Sequence, residues 1–583
     1  MDMDIPNSNA SKDILYIGKS NFRGTDKIFG IKNKDRFQHM YVVGQTGTGK
    51  TSLLRNLAIQ DIEAGRGIAV VDPHGEFARD LLAAIPANRL DDVIYFNPID
   101  TEFPIGFNIL EVKNPDHKHL VSSGLMSIFT KIWANVWSAR MEYILNNTVL
   151  ALLDTPGTTL LGIPRMLVDK VYRQRIIDNC KDPVVRSYWI NEYEQYQERF
   201  RTEAIAPIQN KVGQFLSTYL IRNIVGQPKS TLNIEQIMNE GKILLVNVSK
   251  GLIGEDNSAL LGAMLITKIQ LAAMERVRIE NERDRKDFLL YVDEFQNFAT
   301  DSFASVLSEA RKYRLGLVIS HQYIGQLVTM GAGGVSTKVR DAIFGNVGTM
   351  ITFRVGATDA EFLEVQFAPD VVAQDFVNLP NYNVYLRLMI DGFSTRAFSA
   401  TTLTPIELQT TPKQIQYIIA SSRKNFGNSR QLVEQEISEW SGMSMPRSAM
   451  PSPIAGIPAP LKNESSFAKA SEDDDGVVVK VAPPPVAYIK PKYETNLGDL
   501  GIDIGDAPMP KEIKPEIPPP MSLSELPQQS PAPGKRHRKR KKRAGGFGTD
   551  HGGLRQALAG ALGIGEQPVP EKEEDYDEEP DRR

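Results

Sequence analysis

Three glycines, a lysine and a threonine fall at fixed steps in Gly44-Gln45-Thr46-Gly47-Thr48-Gly49-Lys50-Thr51, between the apolar Tyr41-Val42-Val43 and the run Ser52-Leu53-Leu54-Arg55-Asn56-Leu57. Gly44, Gly47 and Gly49 let the backbone fold into a nest whose N–H groups converge on phosphate oxygens, and a helix starting at its end adds the positive end of its dipole. In such a loop the lysine reaches the β- and γ-phosphates, and the hydroxyl after it takes a place on Mg²⁺. The pattern therefore predicts that Gly44, Gln45, Thr46, Gly47, Thr48, Gly49, Lys50 and Thr51 bind a nucleoside triphosphate, that Lys50 serves catalysis and that Thr51 helps to hold Mg²⁺. It also demands a strand in front of the loop and a helix behind it.

A second apolar run, Phe288-Leu289-Leu290-Tyr291-Val292, ends in Asp293-Glu294. An aspartate in that place holds the Mg²⁺ shell, and a glutamate one residue on polarises the water that attacks the γ-phosphate. Together with the loop, the carboxylate pair points to ATP-driven motors rather than GTP switches or small-molecule kinases. A later strand ends in Ser320-His321-Gln322, where the Gln322 amide can touch the γ-phosphate or simply cap the strand. Charge developing on the phosphoryl oxygens calls for an arginine, a group worth about 10³ to 10⁵ in rate. Arg311, Arg340 and Arg354 are the candidates, and each also suits a surface or structural place.

These groups need a scaffold, and the periodicity supplies one. From residue 14 to about 115 short apolar strands alternate with a helix, and Gly67-Ile68-Ala69-Val70-Val71-Asp72-Pro73-His74-Gly75-Glu76 predicts a buried strand ending in a turn. Over residues 116–235 the texture turns helical. Leu125, Ile128, Phe129, Ile132, Trp133, Val136 and Trp137 recur at steps of three and four, and Met141, Ile144, Leu145, Val149 and Leu152 repeat the pattern, with breaks near Pro156-Gly157, Pro183 and Pro228. This is an all-α insertion whose tryptophan stripe belongs to its own core rather than to a ligand cage. Strand texture returns at 242–248, 288–292, 315–320 and 349–354, with a helix over 258–281 and a last helical patch over 405–440. The expected fold is α/β, with a mostly parallel sheet built from residues 1–115 and 236–404 and covered by helices on both faces.

The 583 residues suffice for more than one domain, and 41% apolar residues allow a large core. The net charge of −4 conceals an asymmetry. Residues 441–583 are rich in Pro, Ser, Gly and charge, a composition that predicts a disordered tail. Within it lie a basic run at 535–543, a short stretch at 554–562 able to form a helix, and an acidic end at 571–581. The basic run can bind DNA phosphates, a partner's acidic surface or the tail's own acidic end, or remain a solvated polyelectrolyte. No continuous apolar run reaches the length of about 18 residues that a membrane helix needs, and Met1-Asp2-Met3-Asp4 lacks the pattern of a signal peptide. The expectation is a cytoplasmic protein. Its single cysteine, Cys180, excludes an internal disulfide framework and a multi-cysteine metal site, and is expected to pack rather than react.

In their order and spacing, the loop at 44–51, Asp72-Pro73-His74-Gly75-Glu76, Tyr291-Val292-Asp293-Glu294-Phe295 and Ser320-His321-Gln322 resemble the HerA/FtsK superfamily of DNA-pumping ATPases. The helical insertion before the Asp-Glu strand is similar to that of the TraG/TraD-type coupling proteins of conjugative type IV secretion, and the resemblance spans roughly residues 14–440. It implies a RecA-like P-loop ATPase core that uses ATP and Mg²⁺, assembled as a ring of six subunits. ATP would sit at the subunit borders and DNA in the central channel. An all-α domain would meet relaxase-bound DNA at the cytoplasmic face. For Arg311, within Glu309-Ala310-Arg311-Lys312-Tyr313-Arg314-Leu315-Gly316, the resemblance implies an arginine offered to the neighbour's nucleotide, with Arg354 the second choice. Membrane coupling proteins of that type carry transmembrane helices before the loop, whereas residues 1–40 here are polar. No direct membrane insertion is therefore expected, and either a membrane-anchored secretion partner supplies the anchor or the chain works as a soluble HerA-like DNA-processing motor.

Two classes of function follow. In a DNA-translocating ATPase, Gly331-Ala332-Gly333-Gly334 with Lys338 and Arg340 either faces the channel and holds phosphates, electrostatically and without regard to sequence, or is a plain mobile loop. In a nucleotide-gated recruitment platform, ATP controls assembly while the helical insertion and tail capture a protein substrate, and no DNA is pumped.

Overall fold

The apolar runs become the strands of a single eleven-stranded sheet. In the computed structural model, which describes residues 13–21, 26–331, 334–408 and 411–441, these are β1 (Ile14–Ser20), β2 (Lys27–Lys32), β3 (Met40–Val43), β4 (Gly67–Asp72), β5 (Val93–Phe96), β6 (Ile243–Asn247), β7 (Phe288–Val292), β8 (Leu315–His321), β9 (Thr349–Thr352), β10 (Asn383–Arg387) and β11 (Phe398–Thr402). Their order across the sheet is β2-β1-β11-β10-β9-β3-β8-β7-β4-β6-β5. From β9 to β5 every neighbouring pair is parallel, while β9–β10, β10–β11, β11–β1 and β1–β2 are antiparallel. Parallel strands need helices on both faces, so their residues are buried on both sides and read as unbroken apolar runs. All of β3, β4, β6, β7 and β8 is buried in this way.

Alternation along the strands sorts the core into two layers. Val42, Val70 and Tyr291 pack with Leu53, Leu54 and Leu57 of the helix Lys50–Glu63 on one face, while Tyr41, Val43, Val71 and Val292 join the other. The second layer continues without a break into the helices between β5 and β6. Among the described residues of that segment there are helices and loops but no strand. Its local logic is legible. Ser138 accepts a hydrogen bond from Met141 N at 3.2 Å as the N-cap of helix Ala139–Leu153, and Asp169 and Asp182 cap the helices Lys170–Asn179 and Pro183–Ser187.

The structure corrects the sequence here in three places. The tryptophan stripe is not one helix: Lys118–Ile132 ends at Trp133, which is buried and stacked on Phe129 at 4.5 Å, and Val136 and Trp137 lie in the turn that Ser138 closes. The helix Glu255–Arg278 is long and apolar enough to cross a membrane by length and composition, contrary to the expectation that no run comes near; 67% of its most apolar window is buried inside the fold. The patch at 405–440 resolves into two helices, Pro412–Phe426 and Arg430–Ser441. By their contacts, the described residues form one compact unit that includes both the sheet and the insertion. The basic run, the short helix-forming stretch and the acidic end of the tail lie outside the described residues, as do Ala332 and Gly333.

One buried ionic network ties the loop helix to the sheet. Asp61, fully buried on Lys50–Glu63, accepts two hydrogen bonds from Arg36 at 2.5 and 2.7 Å and one from Arg66 at 2.9 Å, and Tyr291 of β7 donates to it as well. Burial alone would lower the affinity of Arg36 for its proton, but the Asp61 carboxylate and Tyr291 outweigh it and hold the guanidinium above its ordinary value. Removing the carboxylate strands two arginines at the sheet–helix contact. Asp61→Ala is expected to destabilise the fold by about 3–5 kcal/mol, read as a lowered melting temperature; an unchanged melting temperature would contradict it.

Candidate nucleotide-binding site

Loop, carboxylates and glutamine meet at the C-terminal ends of adjacent strands. β3 lies beside β8 and β8 beside β7, so the strand that delivers Ser320-His321-Gln322 is wedged between the loop strand and the Asp-Glu strand. In open parallel sheets this edge is where ligands bind.

The loop is held from both sides. Gly44 N donates to the His321 carbonyl at 3.3 Å and Gln45 N to the Arg354 carbonyl at 2.8 Å. Inside it the Thr48 hydroxyl, fully buried, donates to the Gln45 carbonyl at 2.7 Å. Gly49 caps the helix Lys50–Glu63 with φ 117°, where a Cβ would also stand 2.8 Å from the Tyr382 ring. Only glycine satisfies both the dihedral and the space. Gly47, at φ 77°, faces open space. The Lys50 ammonium donates to the carbonyls of Gly44 at 2.7 Å and Gln45 at 3.1 Å, curling over the loop it belongs to. Burial lowers its proton affinity, partly offset by the charges of Glu294 and Asp293.

Behind the loop the two carboxylates take different partners. The Thr51 hydroxyl donates to Asp293 Oδ2 at 3.0 Å, while Asp293 Oδ1 accepts from Ser320 Oγ and from Glu294 N at 3.0 Å. Burial raises the Asp293 carboxyl above its ordinary value, with the Ser320 and Thr51 hydrogen bonds opposing. A hydroxyl and a buried carboxylate brought together beside a phosphate-type nest form a hard oxygen pair that suits Mg²⁺. Among the described residues no cluster of three or more His, Cys, Asp or Glu side chains forms a separate metal site.

Glu294 sits in the left-handed region at φ 47°, uncommon for a side chain of its size. That backbone turns its carboxylate toward Gln322, whose Nε2 lies 3.1 and 3.2 Å from the two carboxylate oxygens, and Gln296 donates to the same group. Gln322 thus touches Glu294 directly. His321, by contrast, is structural. Its Nδ1–H donates to the Tyr323 carbonyl at 3.0 Å, its Nε2 accepts from the Tyr41 hydroxyl at 2.7 Å, and burial pushes its pKa down to about 3.

The arginines separate cleanly. Arg354 lies beside its own chain's loop, donating to Gln45 Oε1 at 3.3 Å, the Leu379 carbonyl at 3.1 Å and Asn381 Oδ1 at 3.0 Å. Arg340 is paired with Asp341 and stands over the Phe362 ring. Arg311 is exposed on the turn Ala310–Tyr313, at the opposite end of β8 from the loop. Cys180 is buried, and burial raises its thiol to about 11, which leaves it a packing residue. Of the residues around the site, the sequence reading missed Gln296 and the side chain of Lys131, which donates to the Gln296 carbonyl. Gln296 stands two residues after Glu294, a proximity that was the one available signal.

A family model described as the type IV secretion-system coupling protein DNA-binding domain matches residues 27–364. Solved structures with similar folds include the plasmid coupling protein TrwB in complex with ADP and Mg²⁺, at 17% identity, TM-score 0.48, covering 68% of this chain and 92% of that one. The same protein with the non-hydrolysable GTP analogue GDPNP gives 17%, 0.48, 67% and 90%. VirB4 of Thermoanaerobacter pseudethanolicus gives 13%, 0.45, 69% and 98%. No curated protein sequence matches the chain.

Proposed function

The chain belongs to the family of the type IV secretion-system coupling protein DNA-binding domain, and from that premise we propose that it is an ATP-hydrolysing, DNA-translocating coupling ATPase of conjugative, type IV secretion-like transfer. The observation that carries the reading is the joint placement of Thr51 on Asp293 and of Gln322 on Glu294 at one sheet edge behind the loop. In this account the nest at 44–49 holds the phosphates, and Lys50 exchanges its loop carbonyls for the β- and γ-phosphates. Thr51 and Asp293 hold Mg²⁺, which when bound neutralises phosphate charge. Glu294 polarises the attacking water. Gln322, touching both Glu294 oxygens, conveys whether a γ-phosphate is present. Arg354, beside Gln45, steadies the chain's own loop, and Arg311 serves a neighbouring subunit in a hexameric ring. We assign residues 1–115 and 236–404 to the ATPase core and 116–235 to a helical domain that meets DNA and a relaxase at the cytoplasmic face of the membrane, with a secretion partner as anchor.

The test is ATP turnover of the full chain with and without DNA at several salt concentrations. DNA is expected to stimulate turnover, and added salt to remove the stimulation, because phosphate contacts weaken with log[salt] by about 0.7–0.9 per contact. Turnover indifferent to DNA would favour a nucleotide-gated recruitment platform instead. If the basic run at 535–543 adds phosphate contacts, deleting residues after 441 leaves DNA-free turnover unchanged and makes the salt dependence of DNA binding shallower; an unchanged slope would assign the run to another partner.

A further inference from the structure

Glu294 is held by two amides, and one of them is tied to the helical insertion. Gln296 donates its side-chain amide to Glu294 Oε2, while its own main-chain carbonyl accepts from the Lys131 ammonium near the end of helix Lys118–Ile132. The other half of the Gln296 amide, Oε1, is buried and has no hydrogen-bond partner among the described residues. Turning the amide over would satisfy nothing, because it would set an oxygen against a carboxylate, so the Glu294 contact dictates how Gln296 stands.

A third element packs on the same helix. The strands Thr329–Gly331 and Gly334–Ser336 form a hairpin, the first of them packs against helix Lys118–Ile132, and Ser336 Oγ donates to Asp301 Oδ2 at 2.9 Å. Burial lowers the Lys131 ammonium to about 7, and Asp301 is the charge that opposes this. The helix and the segment just after Glu294 therefore meet at Lys131, and the hairpin comes to the same neighbourhood through its packing on the helix and the Ser336–Asp301 hydrogen bond. Val335 in the second of these strands is 64% exposed.

We infer that Lys131 and Gln296 are positioning residues that orient the Glu294 carboxylate and couple it to the helical insertion and the Thr329–Ser336 hairpin. DNA bound by either element shifts Lys131, Lys131 shifts the Gln296 backbone, and the Gln296 amide resets the direction in which Glu294 presents its oxygens to water. The inference rests on the proposed role of Glu294 as the base.

The experiment uses the full chain and measures kcat, KM for ATP and the ratio of turnover with and without DNA. Lys131→Met is expected to lower kcat by about tenfold or more, as for a reacting group held slightly out of place, with KM unchanged and the DNA ratio near one. Lys131→Arg keeps a donor for the Gln296 carbonyl and is expected to restore both. Gln296→Leu is expected to reproduce the Lys131→Met effect, and the double variant to be no worse than either alone, because both act through one contact chain. If Lys131→Met lowers the melting temperature, Gln296→Leu carries the same readouts. Wild-type kcat and DNA ratio in Lys131→Met and Gln296→Leu, a loss that falls on KM, or additive losses in the double variant would overturn the inference. A wild-type protein without turnover removes the functional reading and this inference together. Turnover that Glu294→Gln abolishes but Lys131→Met leaves intact removes the inference alone.

Discussion

Glu294→Gln lowers ATP turnover by about 10² or more while leaving ATP binding intact, and Lys50→Ala abolishes binding and turnover alike; those are the expected results for a general base and a phosphate ligand. The difference follows from where the two side chains stand. Lys50 rises from the first turn of the loop helix and already bonds to the loop carbonyls of Gly44 and Gln45, so it belongs to the nest that surrounds the phosphates. Glu294 stands behind the nest, hydrogen-bonded by Gln322 and Gln296 and acting on Lys50 through its charge. Glutamine in its place keeps the shape and the neighbours' room but gives up the charge that accepts a proton. Binding of a fluorescent ATP analogue beside steady-state turnover separates the two variants, and equal loss of binding in both would contradict the assignment.

Arg311→Ala is expected to cost about 10³ to 10⁵ in turnover and to be rescued by a different subunit. β8 is seven residues long, so at roughly 3.3 Å per residue its two ends are about 20 Å apart. Gly44 is bound at the His321 end and Arg311 precedes the Leu315 end. Arg311 also lies close enough to His39, just before β3, for its charge to help lower that histidine's proton affinity below what burial alone gives. Both observations put the guanidinium at the far end of the sheet from its own loop, out of reach of its own nucleotide. Mixing Arg311→Ala subunits, whose Lys50 is intact, with Lys50→Ala subunits, whose Arg311 is intact, creates borders where both groups function. Activity of the mixture above that of either variant supports action across the border, and none in verified mixed assemblies would refute it.

The parallel half of the fold was legible because burial on both faces leaves mostly apolar residues in β3, β4, β6, β7 and β8, with polar residues gathered at the C-terminal ends of β4, β6 and β8. The antiparallel half was not. β10 alternates buried and half-exposed positions and β11 buries only its central residue, Asn383–Arg387 carries polar residues at both ends, and such short half-exposed segments resemble ordinary loop sequence. Helix ends in the insertion were blurred for a different reason: Trp133 to Trp137 keep the helical spacing, but the Ser138 cap claims the next helix and the chain turns first. At the site, residue types and spacing gave the loop and the carboxylates. The clasp on Glu294 was hidden, since Lys131 and Gln296 are 165 positions apart in the chain and meet only through tertiary packing.

The central claim is that hydrolysis moves this protein along DNA. Its most direct test is displacement of a labelled third strand from a DNA triplex by the full chain with ATP and Mg²⁺, with Glu294→Gln and ATP omission as controls. Displacement that requires ATP and disappears in Glu294→Gln is the result predicted. ATP turnover with no displacement on single- or double-stranded tracks leading to the triplex would contradict it.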